Sequence, residues 1–175
     1  MMKVFVKILI LIVFSSCVFS SCVFRNGAYH EYNDEGGITL TKSYKNGKLD
    51  GPFIEFDGQG DTVSVTHYKE GKIDGLIITY YDNNRKKSQI EMKNDFQDGI
   101  SNYYYENGNP SQIVGWKEGY LHGQEKFFYK EGTIKHIGEN ENGVKVGRWL
   151  YLNNQRDTLK VEVYDKGKLK ETIKY

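Results

Sequence analysis

The chain has 175 residues, enough for one domain of ordinary size, and its formal charge of +1 excludes a long-range field that would draw it to nucleic acid or an anionic surface. Fourteen Tyr, 9 Phe and 2 Trp accompany 19 Gly and only 2 Pro. That composition favours pleated strands joined by tight glycine turns, because aromatic rings fit a sheet and glycine reaches positive φ without steric cost.

Residues 1–21 differ from everything after them: Lys3 and Lys7 precede the apolar run Ile8 to Phe14, too short for a comfortable membrane span and in keeping with an export signal. The run closes on Phe14-Ser15-Ser16-Cys17 and repeats itself as Phe19-Ser20-Ser21-Cys22. This resembles a bacterial lipobox, with Phe where leucine is usual, and it implies lipidation of Cys22 or Cys17. Cys22 is preferred, since fourteen residues separate it from Lys7 against nine for Cys17. A Cys17–Cys22 disulfide behind an ordinary secretory signal is the alternative. No other cysteine exists, so the exported part folds without a disulfide. Residues 22–26 read as a short tether and 27–175 as the folded domain.

From Gly27 onward one unit recurs every 24 residues without insertion or deletion. Glycine stands at 27, 51, 75, 99, 123 and 147, and five residues later come Tyr32, Phe56, Tyr80, Tyr104, Phe128 and Leu152. Each unit predicts two strands. The first is exemplified by Gly147 to Leu152 and ends at a turn such as Asn107-Gly108; the second, such as Thr158 to Tyr164, ends at a turn such as Lys45-Asn46-Gly47-Lys48. Connections this short allow only antiparallel pairing. The expected fold is therefore all-β: an elongated single-sheet meander of about six two-strand repeats and about twelve strands.

The alternation of Gly-x-aromatic-x-x-aromatic with a lysine-flanked Asn-Gly or Glu-Gly turn and then Leu-Asp-Gly or Ile-Asp-Gly resembles the bacterial variant of the MORN repeat. The best matches are Tyr44 to Phe56, Tyr68 to Tyr80, Trp116 to Phe128 and Asn140 to Leu152, and the likeness spans nearly all of 27–170. The resemblance implies exported or lipid-anchored proteins, some of them classed as antitoxins of toxin–antitoxin pairs.

No reaction is legible. His30, His67, His122 and His136 occupy four different columns of the repeat, so they are not expected to converge on a metal or a nucleophile. Asp50, Asp74 and Asp98 share a column, but it turns to His122, Val146 and Lys170, too few oxygens for calcium. These aspartates are read as hydrogen-bonding turn backbone. No Gly-x-Ser-x-Gly elbow or phosphate-cradling loop occurs, so no enzyme and no cofactor are expected. Lysines interleaved with rings invite single-stranded nucleic acid, which the near-zero charge and the export signal argue against.

Two functions remain: a lipid-anchored interaction module of the cell envelope, binding a protein or a glycan, and an antitoxin or immunity protein that neutralises a partner toxin. Strand alternation puts the six-membered apolar row on one face, expected to be the packed one. Its neighbours are polar in early units (Glu31, Asn33, Glu55, Asp57) and aromatic later: Tyr81, Tyr103, Tyr105, Phe127, Tyr129 and Tyr151. These late rings form the expected partner-binding face, against the alternative that they cover one another within the sheet.

Overall fold

The computed structural model describes residues 25–175; the leader, both cysteines and most of the tether lie outside the described residues. All described secondary structure is β. The strands are β1 (Gly27–Tyr32), β2 (Ile38–Lys45), β3 (Lys48–Phe56), β4 (Thr62–Lys69), β5 (Lys72–Tyr80), β6 (Lys86–Lys93), β7 (Phe96–Tyr104), β8 (Pro110–Lys117), β9 (Tyr120–Phe128), β10 (Ile134–Glu141), β11 (Val144–Leu152), β12 (Thr158–Asp165) and β13 (Lys168–Lys174). They form one open antiparallel sheet in strict chain order, the single-sheet meander that the 24-residue period predicts. The count is thirteen because the lysine-rich segment after the sixth unit continues the pattern and pairs with β12.

Two kinds of connection alternate. The hairpins after β2, β4, β6, β8, β10 and β12 are two-residue turns with positive φ at both positions, such as Glu70 (52°) and Gly71 (86°). That is the mirror-image turn whose twist matches the strands it joins. The other connections are five-residue loops, in which the N–H of the first residue donates to the carbonyl of the fifth, as from Tyr105 to Asn109 at 2.8 Å.

The recurring glycine has its own cause. Opposite Lys42 and Tyr44 of β2 stand Phe53 and Leu49 of β3, so Ser43 alone faces Asp50, Gly51 and Pro52, and the surplus holds Gly51 at φ 108°. This bulge bends the strand, and a side chain would be strained there. It also explains why these strands begin three residues before the glycine rather than at it. The Asp50, Asp74 and Asp98 carboxylates accept the N–H of Glu70, Asn94 and Glu118, the first residue of the adjacent hairpin turn. The aspartate column is thus a ladder tying neighbouring turns together.

No second layer of the described chain covers either face. The six-membered row (Tyr32 to Leu152) shares its face with Ile54, Ile78, Ile113, Ile137, Leu150 and Val161, and from Phe56 on its members are half-buried. Calling that the packed face is only partly right. Of the three fully buried apolar side chains among the described residues, Val161 lies on it, whereas Val114 and Trp149 lie on the other. In a single sheet a side chain is covered only by neighbours on adjacent strands, so burial follows local ring size rather than face.

Candidate partner-binding face

The six late-unit rings divide into two sets. Tyr81, Tyr105 and Tyr129 each open a five-residue loop, and their hydroxyls donate to the carbonyls of Tyr104, Phe128 and Leu152 at 2.8, 2.7 and 2.9 Å. Each bond spans 23 residues and joins one unit to the last strand residue of the next. These three rings are rungs between repeats. Tyr103, Phe127 and Tyr151 lie in strands, on the face opposite the six-membered row, and all three are half-buried.

Around the latter set the cross-strand register assembles residues that sequence reading left scattered. His136 stands opposite both Phe127 and Tyr151. Its ring stacks on Phe127 at 4.2 Å between centroids and lies 5.4 Å from Tyr151 and 6.2 Å from Trp149. Trp149 fits because Gly138 faces it: a Cβ there would come within 2.2 Å of the indole. The indole N–H donates to the Glu139 carbonyl at 3.2 Å. Lys145 lies over the indole, its Nζ 4.1 Å from the centroid and 5.1 Å from that of Tyr164, and Lys160 lies 4.2 Å over Tyr151. Such ammonium–ring contacts are worth roughly 0.5–1 kcal/mol when exposed.

Glu162 joins the cations to the phenols. It pairs with Lys160 and accepts hydrogen bonds from the Tyr151 and Tyr164 hydroxyls at 2.7 and 2.9 Å. The Lys160 bond first, and the tyrosine bonds with it, draw the carboxyl down to about 2. Burial, and then the Glu162 carboxylate, pushes the Tyr151 phenol well above its ordinary range, and the same causes raise Tyr164. Burial beneath the rings first, then the charges of Lys145 and Lys135, lowers His136 to about 4. At neutral pH the cluster therefore contains a neutral imidazole, a carboxylate and two ammonium groups among the side chains of Phe127, Trp149, Tyr151 and Tyr164.

Beside it, at the loop edge, lies a hollow of about 270 Å³ lined by Tyr129, Tyr151, Leu159 and three lysines, Lys135, Lys160 and Lys174. No protein-family model matches the chain, and no curated protein matches it.

Among the described residues no group of three His, Cys, Asp or Glu side chains stands close enough to hold a metal ion. What the face offers is contact chemistry: broad rings that lose little entropy on binding, with ammonium groups beside them. The sequence signal for the hidden members was the pairing of the column thirteen after each glycine (His136, Lys160) with the column four after it (Phe127, Tyr151). Reading it requires the register.

Proposed function

We propose that the chain is a non-catalytic binding module of the bacterial cell envelope, exported by residues 1–21, tethered through lipid on Cys22 or Cys17, and built of MORN-like repeats. Its late-unit face, with Tyr103, Phe127 and Tyr151 at the centre and Lys135, Lys160 and Lys174 at the loop edge, docks an acidic protein surface. One observation carries this reading: the column that holds Tyr103, Phe127 and Tyr151 in late units holds Glu31 and Glu55 in early ones, and beside the late rings Lys135, Lys160 and Lys174 line one hollow with Tyr129 and Tyr151. Rings anchor and lysines steer; the division matches what binding faces do elsewhere. Photo-crosslinking tests it. A benzophenone side chain at Tyr103 should yield protein adducts in cells that the same group at Ile54, on the other face, does not. Adding Lys135→Glu and Lys174→Glu should remove them. Equal adducts from both positions, or adducts indifferent to the charge reversal, refute the proposal.

A further inference from the structure

The face that carries the six-membered row has two grooves at corresponding places in the repeat, three periods apart. The earlier, about 420 Å³, is walled by Ile54, Phe56, Val65 and Tyr80, with Asp61 and Asn84 at its mouth. The later, about 490 Å³, is walled by Phe128, Ile134, Ile137, Leu150 and Leu152, with Thr133 and Arg156 at its mouth. Both lie within the range of small-ligand sites, roughly 300–1,000 Å³.

Their mouths differ in chemistry. In the earlier groove the Asn84 amide donates to the Asp61 carboxylate at 3.1 Å, so the polar groups satisfy each other. In the later one, Asp61 is replaced by Thr133, whose hydroxyl turns away to Asn154 at 3.2 Å, and Asn84 is replaced by Arg156. None of the ion pairs or side-chain hydrogen bonds among the described residues involves the Arg156 guanidinium, whose backbone N–H alone is bound, to the Asn153 carbonyl. Arg156 also holds φ at 72°, at the loop position where other units place Gly36, Gly60, Gly108 and Gly132. A side chain there strains the backbone, and no hydrogen bond or ion pair of the guanidinium offsets the strain.

We propose that the later groove binds a small amphiphilic carboxylate of fatty-acid type. Its chain lies along Phe128, Ile137, Leu150 and Leu152, and its carboxylate is held by the fork of Arg156, which matches two carboxylate oxygens. An extended peptide is disfavoured, because β9 to β12 are hydrogen-bonded on both sides and offer it no main-chain edge. The site lies on the opposite face from the docking surface proposed above and shares with its hollow only Leu152.

The test is a methyl-resolved NMR titration of the full chain with decanoate, and with decanol as the uncharged control. Decanoate should shift the methyls of Ile134, Ile137, Leu150 and Leu152 and leave those of Ile54 and Val65 in place. Arg156→Gly restores the residue that most units carry, so it folds. It should weaken decanoate roughly tenfold to a hundredfold and leave decanol binding unchanged. Equal decanoate affinity in the two proteins, equal shifts in both grooves, or no shift at all overturns the proposal. So does movement of the same methyls on raising protein concentration alone, which would make a second copy the occupant.

Discussion

Replacing His136 by Phe should remove a specific part of the protein's acid sensitivity. The imidazole has a value of about 4 in the fold against 6.5 ordinarily. Between those pH values the unfolded chain takes up a proton that the folded chain refuses. The contribution is therefore whole above pH 6.5 and is lost as pH falls toward 4, the direction for a depressed basic group. From pH 7 to 4.5 the full shift corresponds to about 2 kcal/mol of lost stability, at 1.36 kcal/mol per unit. His136 is only half-buried, and water beside Lys135 and Lys145 screens it, so about 1 kcal/mol is the figure to expect. Phe keeps the ring stacked on Phe127 but cannot be protonated. Urea unfolding at pH 7.0 and 4.5 measures the loss in each protein, and carboxylates such as Glu162 cancel in the difference. If the variant loses as much as the parent, to within about 0.3 kcal/mol, the reasoning about this ring is wrong.

Trp149→Ala should cost about 3–5 kcal/mol, the range for a buried indole, and Gly138→Ala should displace the same ring. Their double mutant should cost clearly less than the sum, and additive values in denaturant titrations would show that the two sites are not coupled. Deleting Gly75 to Asp98 joins Asp74 to Gly99 in register, and cooperative unfolding should survive with the denaturant slope lowered by about one sixth. Deleting twelve residues instead reverses every later strand, and a folded product there would contradict the repeat assignment. Tyr105→Phe should cost about 1 kcal/mol through its lost rung to Phe128, whereas Tyr103→Phe, whose hydroxyl has no partner among the described residues, should be neutral by thermal melting. Labelled fatty acid should enter the wild type and vanish from the Cys17→Ala, Cys22→Ala double mutant; a double mutant that still labels rules out the lipid tether.

Features set within a few residues, and the period that repeats them, were legible in the sequence. The positive-φ pairs such as Asn46-Gly47 and the five-residue loops dictate antiparallel neighbours, and the unbroken period dictates their order. Alternation already separated Tyr103, Phe127 and Tyr151 from the row of Tyr80, Tyr104 and Phe128. The tertiary structure decided which residues meet across strands. The bulge at each repeat glycine from Gly51 to Gly147 sets three residues against one, a count that the period does not contain, and the register it imposes puts His136 between Phe127 and Tyr151. Tyr105 and Tyr103 look alike in sequence. One reaches 23 residues onward to a carbonyl and the other does not, because only a ring that leaves the strand at a loop corner comes within reach of the next loop. The indole at Trp149 became the most enclosed large side chain because Gly138, on the neighbouring strand, leaves the space for it. Turn chemistry and alternation act locally along the chain, whereas burial in a one-layer sheet is conferred by whichever side chains the adjacent strands bring alongside.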